Sequence, residues 1–388
     1  QAYDKRTLVA NDPNRAEMRR KLPLKIYQLL SSRHIARPFP VVQSRTNLRL
    51  LLVVAIIGLW GSAQAQDPVF SQFYAAPLQL NPAFAGTTIA PRLTFNHRNQ
   101  YPNWPNAYIT YAAAFEQEIE ALNSGFGIQI MTDAAGDGIY KVNQVSGIYS
   151  YKVKLGRETN VRIGLDAGLS QARVDWDQLI FGDQLDEISG PTDGSGNPFL
   201  SEENRPASLS STVFDASAGL LFYNRNVYGG LSLKHINRPD ESFLAINENL
   251  FAGRPLRMTI HGGAEFELGP RNKRGNAAFI SPNAMFVKQG DTGQVVLGSY
   301  IGVGRIFGGA WFRHNFTLAD AAVFSFGVRE GVFRIGYSYD MTVSALADAP
   351  GGSGNTHEIS LMINLQDSKE IQRKRHASRW NNCFRMFN

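Results

Sequence analysis

Cysteine is almost missing: Cys383 is the only one in 388 residues, which excludes an intrachain disulfide framework and a cysteine-rich zinc module. Charged side chains are sparse at 19%, against 43% hydrophobic ones, which excludes a disordered chain. No apolar run reaches the roughly 20 residues of a spanning helix. The longest, residues 50–61, follows Arg45 and Arg49 and precedes Ala63-Gln64-Ala65. That order of charged, apolar and small residues is the pattern of a secretory signal, with cleavage expected after Ala65 and Gln66 as the first mature residue. Residues 1–49 are read as an upstream extension, the start of the precursor being expected near Val41 or Val42, and residues 50–65 as the signal's apolar region and cleavage site.

Removing the leader removes the positive charge. Residues 1–65 carry 11 Lys or Arg against 3 acids, so the formal +6 of the whole chain becomes 28 basic against 30 acidic residues, or −2, from Gln66 onward. Nucleic acid is therefore not an expected partner. Within the mature chain the charge is uneven: residues 66–366 hold 22 basic and 28 acidic side chains, and residues 367–388 hold 6 and 2. The chain ends in a basic tail, whose plain reading is a solvated end and whose sharper one is a docking strip for an acidic partner.

From residue 91 onward the apolar period is 2, the repeat of a strand with one greasy and one polar face. Val161, Ile163, Leu165, Ala167 and Leu169 alternate with Arg162, Gly164, Asp166, Gly168 and Ser170. Phe333, Ile335, Tyr337 and Tyr339 alternate with Arg334, Gly336, Ser338 and Asp340 in the same way. About 14 such segments can be counted, most near 10 residues or longer, and an even count of long alternating strands is the signature of an antiparallel transmembrane β-barrel. Long connections fall after the fifth, seventh and thirteenth segments, all odd, so all three lie on one side, as the outer loops of such barrels do. Both mature termini are then expected in the periplasm. Aromatics around Tyr101, Trp104 and Tyr108, around Phe222, Tyr223 and Tyr228, and at Trp311, Phe312 and Phe316 are expected to form interfacial girdles. A soluble β-sandwich or propeller is the alternative, and in a sandwich these rings would be core. Glycine on the inward faces leaves room for a pore or for an inserted peptide.

Motifs with catalytic or cofactor chemistry are weak. His97, His235, His261, His314 and His357 fall on separate strands, which gives no metal spacing. Gly302-Val303-Gly304 lacks the strand–helix context of a dinucleotide loop. The oxygen side chains of Asp193, Ser195 and Asn197 alternate as in a calcium loop, but Pro198 stands where the sharp-turn glycine belongs. No cofactor and no enzymatic activity are expected.

Residues 66–90 break the strand pattern. Pro68, Pro77 and Pro82 forbid a regular strand, and Phe70, Phe73, Tyr74 and Phe84 need cover, which a short segment at the periplasmic mouth or in the lumen would find. The run Asp67-Pro68-Val69-Phe70-Ser71-Gln72-Phe73-Tyr74, continued by Pro77-Leu78-Gln79-Leu80-Asn81-Pro82-Ala83 and Gly86, closely resembles the opening of the PorP/SprF family of type IX secretion outer-membrane proteins. The likeness continues at Arg98-Asn99-Gln100-Tyr101-Pro102-Asn103-Trp104 and at Thr356-His357-Glu358-Ile359-Ser360-Leu361. Asn382-Cys383-Phe384-Arg385 departs from the family's usual C-P-x-F ending. The resemblance implies a non-enzymatic barrel (residues 91–366) in the outer-membrane lipid that supports export or surface attachment of large adhesins of the gliding-motility type, through their C-terminal secretion domain. It also implies periplasmic peptidoglycan-binding partners. Candidate partner-binding residues are Phe70, Gln72, Tyr74, Asn81 and Pro82 in the opening segment, with Arg375 and Cys383 in the tail. The alternative function on the same fold is a passive porin or small-solute transporter.

Overall fold

The computed structural model describes residues 66–104, 108–156, 158–186, 190–192, 195–197, 199–241, 253–269, 278–348, 354–367, 384 and 386–387. The extension and leader, Arg375, Cys383 and Asp193 lie outside the described residues. Strands run in chain order as β1 (Arg92–Gln100), β2 (Tyr108–Ile119), β3 (Ser124–Ala135), β4 (Tyr140–Lys154), β5 (Asn160–Val174), β6 (Ser210–Tyr223), β7 (Val227–Lys234) and β8 (Arg257–Ala264). They continue as β9 (Phe266–Leu268), β10 (Ala278–Gln289), β11 (Thr292–Val303), β12 (Ile306–Asn315), β13 (Ala319–Glu330), β14 (Phe333–Thr342) and β15 (Thr356–Asn364). β8 and β9 both pair with β10 and are one strand interrupted at Glu265. Every neighbour in the chain pairs antiparallel, and β1 pairs with β15 in the register Arg98↔Glu358 and Phe95↔Leu361, which closes a 14-stave barrel. The ring closes on itself among the described residues, so the strand backbones satisfy one another around it.

Alternation decides which way each side chain faces. On β5, Ile163, Leu165 and Leu169 are exposed on the outer surface, while Arg162, Asp166 and Ser170 are buried inside. On β14, Phe333 and Ile335 point out and Arg334, Ser338 and Asp340 point in. An outer wall of Leu, Ile, Val and Phe around a polar interior suits lipid rather than water. No helix among the described residues is long and apolar enough to cross a membrane; the crossing elements are strands.

The long connections, residues 175–209, 235–256 and 343–355, share one end of the barrel with tight turns such as Gly290-Asp291. Residues 224–226, 304–305 and 331–332 turn at the other end. The expected girdles need correction. Phe222 and Phe312 are exposed on the outer face, Tyr108 and Phe316 line the space inside the long-loop end, and Tyr223, Tyr228 and Trp311 are buried and face the lumen. Their positions on the inward phase of the alternation override their aromatic character, and the lumen holds apolar partners for them.

Candidate functional site

The lumen is filled by the segment that precedes β1. Its prolines set short turns instead of a strand: Pro77 opens the helical turn Pro77–Leu80 and Pro82 opens the 3-10 turn Pro82–Phe84, places where a missing N–H costs nothing. Asn81 caps the second turn by accepting a hydrogen bond from the Ala83 N–H at 2.9 Å. Phe70, Phe73, Tyr74, Leu78 and Phe84 are all buried, packed against inward side chains of the wall. Tyr74 stacks on Trp311 with ring centroids 5.6 Å apart, and Phe73 meets the same indole edge-on at 6.1 Å. The segment passes from the long-loop end, where Asp67 N donates to Gln289 Oε1 (3.1 Å), to the short-turn end, where Gly86 N donates to Glu116 Oε2 (2.8 Å).

Its upper half is tied across the closing seam of the ring. Glu358 on β15 accepts from Ser71 N and Gln72 N, each at 2.9 Å, and its own carbonyl accepts from Gln72 Nε2 at 3.0 Å. Arg98, from the facing position on β1, donates to Ser71 Oγ at 2.8 Å and lies 3.2 Å from Glu358 Oε2. Asp340 accepts from Ser71 Oγ and from Arg313 Nη1 at 2.9 Å, and Arg313 also pairs with Asp320. Buried charges hold only when paired and hydrogen-bonded, and here the plug's backbone completes the pairing.

The lower half rests where the wall lacks side chains. A Cβ on Gly219 would stand 1.9 Å from Asn81 Oδ1, and one on the facing residue, Gly164, 2.3 Å from Ala83 N. Asn81 Nδ2 in turn reaches Leu220 O, Leu231 O and His261 Nε2 at 3.1–3.2 Å. The inward glycines thus make room for an inserted peptide, and the peptide is the chain's own.

At the start of the plug, Asp67 is held by His235 (Nε2 to Oδ2, 2.5 Å), with Arg254 and Arg257 each 3.6 Å away. Burial acts to raise the Asp67 carboxyl, but these three cations overcome it and hold the group well below its usual range. Burial likewise opposes the charged form of His235, yet Asp67 and Asp215, the latter 2.9 Å from Nδ1, keep its pKa raised.

The last residues of the chain also enter the barrel. Phe384, Met386 and Phe387 are fully buried; Phe387 stacks on Phe84 at 4.7 Å and its carbonyl accepts from Arg92 Nη1 at 2.8 Å. The described residues of the tail, Phe384, Met386 and Phe387, are therefore anchored inside the barrel. Gln66 lies inside the lumen toward the long-loop end, whereas β1 begins and Phe387 docks at the short-turn end. The plug's first described residue and the C-terminal Phe387 thus contact opposite ends of the barrel interior.

Above the plug, at the long-loop end, a cavity of about 760 Å³ remains, floored by Asp67, Pro68 and Val69. The structure brings Phe70, Gln72, Tyr74, Asn81 and Pro82 together as buried contacts with the chain's own wall. Sequence reasoning missed the wall residues that receive them, Arg98, Asp340, Glu358 and Gly219. Charged residues at successive inward positions were the available signal, since a barrel interior that held only water would not need to pair them.

Three comparisons bear on this architecture. A family model described as type IX secretion system membrane protein PorP/SprF matches residues 62–363. Among solved structures, the chain is similar to the toluene transporter TbuX of Ralstonia pickettii, at 10% identity and a TM-score of 0.44, over 75% of this chain and 93% of that one. It is also similar to a mutant of the Rh. blastica porin, at 8% identity and a TM-score of 0.28, over 70% of this chain and 98% of that one. No curated protein matches the chain.

Proposed function

Because the chain belongs to the PorP/SprF family of type IX secretion system membrane proteins, we propose that this non-enzymatic barrel lies in the outer membrane with its long loops outside, and supports export or surface attachment of large adhesins by docking their C-terminal secretion domain. The observation that carries this reading beyond family membership is the filled lumen. A passive porin needs an open bore, whereas here residues 66–87 and the chain's last residues occupy it. A barrel without a free passage serves as a membrane-held docking body, and the face it offers outside is the long-loop end. In this reading Phe70, Gln72, Tyr74, Asn81 and Pro82 act on the client indirectly, by fixing the plug whose first residues floor the cavity. The basic tail with Arg375 and Cys383, tethered by the buried Phe384 and Phe387, faces periplasmic components, including peptidoglycan-binding ones.

The test is a deletion strain complemented with the wild-type gene, with surface and medium adhesin measured by blotting, together with capture of an adhesin's terminal domain by the purified barrel. Loss of surface adhesin in the deletion and co-purification of the domain are expected. Normal adhesin display without the barrel would overturn the reading.

A further inference from the structure

We infer that the cavity at the long-loop end is a binding site for a lysine- or arginine-bearing stretch of polypeptide. Its volume, about 760 Å³, is that of a ligand cleft rather than a packing defect. Its floor is closed by the plug, so whatever enters stays at that end.

The chemistry of the walls favours a cation. Asp133 on β3, Asp291 in the β10–β11 turn and Asp320 on β13 all line the space, beside Tyr101, Tyr108 and Phe316. Two guanidinium groups also reach it, but both are engaged: Arg98 with Glu358 and Asp340, Arg313 with Asp320 and Asp340. Asp133 is met by a neutral donor, Thr110 Oγ1 at 2.6 Å, and Asp291 stands exposed at the rim. Carboxylates beside aromatic faces form the surroundings in which an ammonium or guanidinium is best held.

An independent observation points to a main chain accompanying that cation. Gln289 lines the same cavity and is 5% exposed; its Oε1 accepts from Asp67 N, while its Nε2 has no hydrogen-bond partner among the described residues. Gln294 Nε2, on the adjacent strand and also lining the cavity, is in the same condition. Buried amide donors need acceptors, and a peptide carbonyl supplies one where a free metal ion or simple ammonium does not. The loop that overhangs this end has the matching sign. Over residues 175–209 the described residues include Asp175, Asp177, Asp183, Asp186, Glu202 and Glu203 against Arg205 alone, which would steer a basic partner inward.

That the polypeptide is a secretion client rests on the function proposed above; the binding chemistry does not. The mature chain in detergent is titrated with a fluorescent, end-blocked tetralysine peptide, with the tetraglutamate peptide and spermine as comparisons. The lysine peptide is expected to bind at least about tenfold more tightly than the glutamate one, and D133N/D291N to weaken it by about tenfold. E202Q/E203Q, on the loop and away from the cavity, is expected to change it less than about threefold. Heat-modifiable migration reports that each variant is folded, and if the double variant does not fold, D291N at the exposed rim carries the test, with loss of affinity expected. Equal binding of the two peptides, wild-type affinity in the folded cavity variants, loss in the loop variant instead, or tighter binding of spermine than of the peptide would each overturn the assignment. Adhesin display in the deletion strain is scored separately, so a failed client reading and a failed binding site give different results.

Discussion

Replacing Glu358 with alanine should release the upper half of the plug. The side chain accepts two buried plug N–H groups, Ser71 and Gln72, and pairs with Arg98, which then keeps Asp340, at 3.4 Å, as its one charged partner among the described residues. Breaking a buried pair by removing one partner costs about 3–5 kcal/mol. At about 1.4 kcal/mol per tenfold, that is a shift of about 10²–10⁴ between docked and released plug. The opening has a predictable size. Fourteen staves about 4.8 Å apart and tilted about 40° give a backbone cylinder about 28 Å across. Without the plug, a bore on the order of 15 Å remains after the inward side chains are allowed for. In planar bilayers, E358A should therefore show large open events that the wild type lacks, and chymotrypsin should cut at Phe70, Phe73 or Tyr74. E358Q, which keeps an acceptor without the charge, should fall between. A folded E358A barrel with wild-type protease protection and no added conductance would refute the assignment of Glu358 as the plug's anchor, and a large steady current through the wild type would refute the sealed lumen.

Other consequences are equally direct. G219V places a side chain against Asn81 and should destabilise the barrel by about 1–3 kcal/mol, read as a lower unfolding temperature; G147V, where a Cβ meets nothing, should be neutral. Phe387→Ala removes a fully buried ring and should cost about 3–5 kcal/mol of C-terminal docking, seen as exposure of an epitope placed at the chain end. Because the pKa of His235 is raised in the folded protein, its contribution is complete below its unfolded value of about 6.5 and fades as pH climbs through its folded value. Protection of the Asp67 region in hydrogen exchange should thus fall between mildly acidic and alkaline pH, after correction for intrinsic exchange, and H235Q should remove that dependence.

Strand positions were legible because a half-buried stave must alternate, and the expected segments fall within about four residues of the observed ones, as at 159–175 against Asn160–Val174. The placement of long loops followed from parity alone. The aromatics were misjudged because Trp311 and Tyr223 read as interfacial residues until their phase is weighed: each sits on the inward side, opposite its exposed neighbours Phe312 and Phe222. The partners of the plug could not be read at all. Ser71 meets Glu358 across 287 residues, and such a contact is fixed by ring closure rather than by any local preference.

The same staple has a bearing on how the barrel is made. Ser71 and Gln72 grip β1 and β15 together, the first and last staves, so the site that receives them does not exist until the ring is about to shut. Ser71 and Gln72 must therefore wait, unpaired, while the other staves assemble, and then be enclosed as the seam zips. Assembly factors would meet the barrel with its plug outside and leave it with the plug within.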